Sequence, residues 1–363
     1  MKILMMLDQP NLYGSEMHFL DLATYFNDEA EVKVIVLRDG PLLKLLSQKN
    51  IGFTIMPSGW FPSLTFLKNA YAFLRSFSPD IIHSHQPKAN FMAALLKIFY
   101  KKKNIVTIHS KPLDHSLLHK SMLKRKAVFV FHLLVQFWSE WVAAKIIYVS
   151  HSSSKSSFFP SKVMVIYNWL KDDKTGRLWK NKSTEPIETI KIVSVGSVTY
   201  AKGFDLLIDF ASLLRPHPFK IHILGSDENV FGSKLKQHVI DNNIDSIIFH
   251  GYQSDISTYL ERARYFALFS RSETFGLSYI EAMSFGLPVL SLDYDTMREI
   301  IPTGNSVSND LQRHVDYLID MQKNPDRYEK VSSANKAYVL KAFDYRSAME
   351  KYKKLYEDIL LAG

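Results

Sequence analysis

Apolar residues come in short solid runs separated by amphipathic stretches, and the two periods trade places along the whole chain. The first run, Ile3-Leu4-Met5-Met6-Leu7, has no polar alternation, the pattern of a strand covered on both faces. After it, Met17, Leu20, Leu22, Ala23 and Phe26 recur at helical spacing. The same reading predicts strands over 2–7, 32–37, 53–56, 80–85, 105–109, 146–150 and 163–166. Helices are expected between them at 41–48, 64–77, 89–100 and 121–144. A parallel sheet covered by helices follows from that alternation.

Residues 171–186 are polar, charged and aperiodic, and the alternation restarts after them. Strands are expected at 190–195, 220–224, 247–249, 265–269 and 289–292, and helices at 203–214, 233–242, 255–262 and 277–284. The last fifty residues read as helical, with Pro302 ahead of them and Pro325 as a break. The expected organisation is an N-terminal doubly wound domain over 1–170, a linker over 171–187, a second such domain over 188–345, and a closing helix over 346–363.

Composition narrows the chemistry. A chain of 363 residues that is 47% hydrophobic and 22% charged has enough apolar side chains for a packed core. It has no cysteine, which removes disulfides, thiolate metal sites and thiol catalysis and fits a reducing cytoplasm. The opening apolar run meets Asp8 too early for a signal-peptide core, so no leader is expected. Of the net charge of +9, residues 1–168 carry 20 cations against 10 acids, and the remainder carries 25 against 26. The excess of +10 over −1 belongs to the first half, densest between Lys101 and Lys126. With no nucleic-acid-binding signature present, no nucleic-acid partner is expected, and an anionic membrane surface fits this charge at least as well.

In doubly wound sheets ligands bind beyond the carboxyl ends of the strands, so the loops after strands hold the candidates. The loop Gly196-Ser197-Val198-Thr199-Tyr200-Ala201-Lys202-Gly203 combines small residues, which let a backbone approach a phosphate, with a lysine. A surface turn with a solvated lysine explains it equally well. Farther on, Glu273 precedes the glycine turn Phe275-Gly276-Leu277, and Glu281 follows one turn into a helix. The free amides at that helix start suit an anion. Glu281 alone is also what a helix dipole favours near its N-terminus.

The spacing Glu-x7-Glu in SETFGLSYIEAMSFGLPV, preceded by VGSVTYAKGFDLLI, resembles family 4 of the retaining glycosyltransferases. YGSE at 13–16, PDIIHSHQ at 79–86, VTIHS at 106–110, IIYVSHSSS at 146–154 and VMVIYN at 163–168 follow in the family's order. FDYRSAMEKYKKLYEDIL is similar to its closing tail. The resemblance implies the GT-B architecture: two Rossmann-like doubly wound domains facing a central cleft, the closing helix returning to the first. It implies transfer of a sugar from a nucleotide-diphosphate sugar, UDP-sugar favoured, to a hydroxyl of a glycan or lipid-linked acceptor in surface polysaccharide or glycolipid assembly. A sugar-nucleotide epimerase or phosphorylase on the same fold, or a catalytically silent sugar-nucleotide binder, are the alternatives.

By resemblance, Glu273 contacts hydroxyls of the donor sugar, Glu281 the ribose, and the amides around Phe275, Gly276 and Leu277 the diphosphate and sugar. Lys202 neutralises the leaving diphosphate, so no metal and no cofactor beyond the co-substrate is expected. His109 reaches the reacting face of the sugar, and the loop at Gly196 and Ser197 and the turn at Gly14 lie against the donor. Tyr13, His109 and Trp60 are the acceptor-side candidates. Ser197 stands where the family usually has arginine, with Arg271 or Lys111 as substitutes; Tyr13-Gly14 replaces a Gly-Gly pair, and Trp169 follows Asn168 in place of glycine.

Two features have competing readings. His83 and His85 form an HxH on a strand, which suits a metal pair, or hydrogen-bonded strand-end histidines. The segment from Lys120 to Trp141 joins a cationic start to an apolar body with a polar stripe of His132, Gln136 and Glu140. It fits an interfacial helix lying on a membrane, and equally a core helix with a solvated basic end. The Trp60-Phe61 pair reads as exposed, lining an acceptor site, inserting into lipid, or packing in a loop.

Overall fold

The computed structural model describes residues 1–117, 121–171 and 189–361. Two units make up the chain: Met1–Trp169 joined by the segment from Arg346 onward, and Leu170–Tyr345. All of the expected linker over 171–187 except Lys171 lies outside the described residues.

In chain order the first unit holds β1 (Lys2–Leu7), α1 (Gly14–Asn27), β2 (Glu31–Val36), α2 (Leu42–Gln48), β3 (Gly52–Ile55), α3 (Leu64–Phe77), β4 (Ile81–His85) and α4 (Pro87–Phe99). There follow β5 (Lys103–Ile108), α5 (Pro112–Ser116), α6 (Met122–Val142), β6 (Lys145–Tyr148), α7 (His151–Ser154) and β7 (Val163–Val165). The second unit holds β8 (Ile190–Val195), α8 (Phe204–Leu213), β9 (Phe219–Leu224), α9 (Val230–Asp241), β10 (Ile247–Phe249), α10 (Ser257–Arg262) and β11 (Tyr265–Ala267). It continues through α11 (Leu277–Ser284), β12 (Val289–Ser291), α12 (Asp295–Ile300), β13 (Ser306–Val307), α13 (Leu311–Lys323) and α14 (Pro325–Ala342), and α15 (Tyr345–Leu361) closes the chain.

Both sheets are parallel throughout, in the orders β3-β2-β1-β4-β5-β6-β7 and β10-β9-β8-β11-β12-β13. Numbered within its own unit, the second reads 3-2-1-4-5-6, the Rossmann order, and the first reads the same with a seventh strand added at the edge. The order reverses between β1 and β4 and between β8 and β11. There the following helices leave on opposite faces, and the crevice they open is where such sheets bind ligands. The two Rossmann-like sheets expected from the alternation are therefore present.

The solid apolar runs are buried on both faces, as β4 is along its whole length. On one side of the first sheet, Leu4, Met6, Ile35 and Ile82 pack against Phe66, Leu74 and Phe77 of α3 and Met92 and Leu96 of α4. α15 belongs to this unit too. Its Tyr356 ring lies 4.5 Å from that of Phe26, and its hydroxyl is 2.6 Å from His83 Nδ1. Local chemistry sets several ends: Ser63 caps α3 by accepting from the Phe66 amide, and Pro87 sits at the start of α4, where its missing N–H costs nothing.

Sequence periodicity misses α5, α7, α12 and β13. The longest of them has six residues, too short to show a period.

Candidate active site

The switch point of the second sheet brings two loops together. The β8 loop runs from Gly196 to Gly203, which enters α8 at φ +66°. A Cβ on Gly203 would stand 1.9 Å from the carbonyl oxygen of Phe269, so only glycine lets the two loops approach this closely. The Arg271 amide then donates to the Ala201 carbonyl at 2.8 Å. Lys202 Nζ donates to Glu273 Oε1 at 2.6 Å, and Ser270 Oγ donates to the same oxygen at 2.9 Å. Thr296 Oγ1 holds the Glu273 carbonyl at 3.0 Å. The carboxylate is mostly covered and the ammonium one-third exposed, which leaves the pair open on the lysine side.

Gly276, at φ +94°, turns the chain from Glu273 into α11. Leu277 and Ser278 are the first residues of that helix, and their amides have no carbonyl acceptor within it. Phe275 is buried against Phe343, ring centres 5.2 Å apart, and anchors the turn. Glu281 lies half-buried on α11, four residues past its start, where Ser284 Oγ donates to its carbonyl. Tyr279, fully buried beneath the turn, donates its hydroxyl to the Leu268 carbonyl. Burial first, and the Glu273 charge second, push that phenol well above its ordinary value.

Ser197 is half-buried in the β8 loop, beside Gly196, whose amide donates to the Leu224 carbonyl. Arg271 does not supply the absent cation. Its guanidinium forms two 2.7 Å hydrogen bonds to Asp205 and stacks 3.8 Å from the centre of the Tyr200 ring. The arginine charge is therefore already matched by a carboxylate, and the side chain braces the loop.

In the first unit, the corresponding switch point carries Tyr13, exposed at the start of α1, and Gly14 as the first residue of that helix. Glu16, one turn further, is buried; Ser15 Oγ and Gln86 Nε2 donate to it at 2.9 and 2.8 Å. Burial raises its carboxyl above the ordinary value. Gln86 does this from φ +71°, while its side-chain oxygen accepts from the Asp8 and Gln9 amides. A non-glycine residue held in that region marks a constrained loop.

His109, just past β5, joins a buried histidine cluster. His85 Nδ1 and His109 Nε2 share a hydrogen bond at 3.0 Å, and the His18 ring stands edge-on to His109 at 4.8 Å between centres. Trp169 covers His18 at 4.0 Å and donates from Nε1 to Asp21. Burial lowers His109 to about 3, so its ring is neutral. His83 is satisfied on both nitrogens, by Tyr356 Oη and by Thr107 Oγ1 at 2.7 Å. Of the two readings of the HxH, His83 follows the hydrogen-bonded one. His85 instead belongs with His18 and His109, three residues that each offer one ring nitrogen within 4.8 Å of the others, the only such set among the described residues. A metal there would have to displace the His85–His109 proton.

His109 also lines a small pocket with Asn90, Ser110, His115, His132 and Gln136, where His115 and His132 stack face to face at 3.9 Å. Trp60 packs edge-on against Phe131 and His132 and is half-buried. The expectation of an exposed Trp60-Phe61 pair holds only for Phe61, which is 83% exposed.

Lys202 and Glu273 are thus brought into contact from positions 71 residues apart, and Phe275, Gly276, Leu277 and Glu281 follow on the same turn and helix. Sequence reading missed His18, Gln86 and Ser270. His18 was findable, four residues after Gly14 and so on the same helical face.

Comparison with known proteins agrees with the fold. A family model described as Glycosyltransferase Family 4 matches residues 13–174, and one described as Glycosyl transferases group 1 matches residues 177–338. The chain is a glycosyltransferase whose first half matches family 4 and whose second half matches group 1. The transferase is 24% identical, over 95% of its length and 90% of the relative's, to an uncharacterised glycosyltransferase of Methanocaldococcus jannaschii. It is 27% identical, over 46% of its length and 50% of the relative's, to the lipopolysaccharide core biosynthesis mannosyltransferase LpsB of Rhizobium meliloti. Its structure matches that of Anabaena HepE in complex with UDP and glucose with a TM-score of 0.83, at 19% identity, covering 99% of this chain and 100% of that one. WaaG, a glycosyltransferase involved in lipopolysaccharide biosynthesis, matches with a TM-score of 0.73 at 14% identity, covering 98% and 99%. The fold is GT-B, and the protein is a glycosyltransferase.

Proposed function

We propose that this transferase moves a hexose from a UDP-sugar, with retention at the anomeric carbon, to a hydroxyl of a glycan or lipid-linked acceptor during assembly of a surface polysaccharide. The observation that carries the reading is the Lys202–Glu273 contact at the switch point of the second sheet, next to the start of α11. In this reading the anomeric carbon–oxygen bond to the diphosphate breaks while the acceptor oxygen bonds from the same face. The acceptor proton passes to the departing phosphate oxygen. Negative charge grows on the diphosphate, and the Lys202 ammonium and the Leu277 and Ser278 amides, fixed beforehand, stabilise it. That work needs no metal, so turnover should persist in EDTA. Glu273 holds sugar hydroxyls, Glu281 the ribose, and the Gly196-Ser197 loop and the Gly14 turn contact the donor. Neutral His109 faces the reacting sugar, with Tyr13 and Trp60 on the acceptor side.

The UDP choice is supported by the Anabaena HepE complex with UDP-glucose, and the surface-glycan setting by LpsB and by an O-antigen biosynthesis relative, WclY of Escherichia coli. No helix among the described residues is long and apolar enough to cross a membrane. The excess cations of residues 1–168 support a place at the cytoplasmic face of the cell membrane, held peripherally. Thermal shift against UDP, GDP and ADP and their sugars tests the donor: UDP compounds should raise Tm and the others should not. Stabilisation by GDP alone would replace the base, and hydrolysis of UDP-sugar with inversion would end the retaining assignment.

A further inference from the structure

Helix α6 is built inside out for a helix with one face in water. The polar residues Gln136, Ser139 and Glu140 face inward and are buried. Glu140, fully buried, accepts from Tyr148 Oη at 2.6 Å, Ser157 Oγ at 2.7 Å, and Gln136 Nε2 and the Phe158 amide at 2.8 Å. Four donors on one carboxylate fix the rotation of the helix about its axis. The opposite line is Leu123, Lys126, Val130, Leu134, Phe137 and Trp141, spaced three or four residues apart. Its apolar members are 79%, 51%, 64%, 43% and 53% exposed, in that order. Surface helices normally show the reverse arrangement, and contiguous apolar surface of this kind marks an interaction face.

We propose that this face of α6 lies flat on a bilayer leaflet that carries anionic lipid. Charge placement chooses the occupant. The 21-residue helix is about 30 Å long. Its first turns carry exposed Lys124 and Lys126. At its other end, Lys97 Nζ of α4 donates to the Val142 carbonyl at 2.6 Å, which seats the end of α4 there, with exposed Ile98, Phe99, Lys101 and Lys102 just beyond. Lys162 Nζ donates to the Trp141 carbonyl at 2.7 Å. The one acid of α6 is the buried Glu140. An apolar line bracketed at both ends by cations fits a plane of anionic headgroups over acyl chains. A second copy of the same face would set lysines against lysines, at least in a parallel arrangement. The inference gives a specific surface to the peripheral placement proposed above, and rests on that placement alone, not on the donor or the reaction.

The test is flotation of the full chain with vesicles of phosphatidylcholine containing phosphatidylglycerol, against phosphatidylcholine alone, at low and high salt. Wild type should float with the anionic vesicles, less so as salt rises. Leu134→Glu with Phe137→Glu should lower partitioning at least tenfold, while Lys124→Ser with Lys126→Ser should lower it and flatten the salt dependence. Both should keep the far-UV spectrum and the nucleotide-induced Tm rise of wild type. The Trp141→Phe protein should lose most of the blue shift in tryptophan emission that vesicles induce. Wild type left unbound, or a glutamate pair that floats like wild type, overturns the proposal. So does a dimer that the glutamate pair dissolves without any vesicle binding, which would assign the face to a second copy. A protein that floats as expected but ignores every nucleotide would sink the donor reading and leave this one standing.

Discussion

Lys202 Nζ stands 2.6 Å from Glu273 Oε1 across the point where the second sheet reverses its strand order. Each side chain satisfies the other before any donor arrives, so binding must exchange the pair for a diphosphate on the lysine and sugar hydroxyls on the glutamate. Lys202→Ala should cut kcat about 10²–10³-fold, the size of one lost charge-stabilising group in a transition state. Glu273→Gln should raise donor KM as well as lower kcat. The measurement is transfer of radiolabelled sugar, with nucleotide binding followed separately by thermal shift. Near-normal turnover in both variants would remove the pair from catalysis.

Gly203 and Gly251 share almost the same φ, +66° and +67°, but not the same surroundings. A Cβ at Gly203 meets the Phe269 carbonyl at 1.9 Å, whereas one at Gly251 meets nothing within 4 Å. Alanine at 251 should therefore cost only the left-handed penalty, about 1–2 kcal/mol. Alanine at 203 should cost more, because the two switch-point loops must part, and Lys202 should lose its hold on Glu273. Denaturant unfolding of both variants gives the comparison, and equal losses would show that the loops do not depend on this approach.

What could be read from sequence follows from which interactions are local. Solid runs and helical spacing gave β8, β10, α3 and α11 to the residue, because burial on both faces or on one stripe writes itself into composition. The Glu-x7-Glu spacing likewise marked the turn at Gly276. The orientation of α6 was not legible. Its polar stripe of His132, Gln136 and Glu140 looks like a solvent face, yet Glu140 is buried by donors from Tyr148, Ser157 and Phe158, which the stripe itself does not announce. The histidine cluster escaped for the same reason: His18, His85 and His109 meet only once α1, β4 and β5 lie side by side.

Buried histidines should make this fold sensitive to acid. Burial lowers His83 and His109 to about 3, and His115 and His314 to about 4, all from an ordinary 6.5. Below 6.5 the unfolded chain takes up protons that the folded chain refuses, so stability falls as pH drops from there toward the folded values. Each such histidine contributes a slope of up to about 1.4 kcal/mol per pH unit in that window. Tm should already decline between pH 6.5 and 5, above the range where most carboxylates titrate. His83→Gln should be less stable at pH 7 and show a shallower decline. A Tm that stays level from pH 7 to 5 would rule this out.

The closing helix should be indispensable to the first unit and irrelevant to the second. Met349, Tyr352, Leu355, Tyr356 and Ile359 of α15 are all buried. Tyr352 Oη stands 3.2 Å from His18 Nε2, and Tyr356 Oη 2.6 Å from His83 Nδ1. Exposing those five side chains forfeits about 1.5–3 kcal/mol each, a sum comparable to the entire stability of an ordinary domain. Tyr356→Phe removes only one hydroxyl and leaves a histidine nitrogen buried without its partner, at a cost of about 1–3 kcal/mol. That variant should keep the native fold with a lowered Tm. Deleting residues 346–363 should leave residues 1–169 open to limited proteolysis, while a resistant fragment from the second unit survives. Resistance of the first unit in the deleted chain would mean that its sheet is stable without α15, and that the packing of Tyr352 and Tyr356 adds little to it.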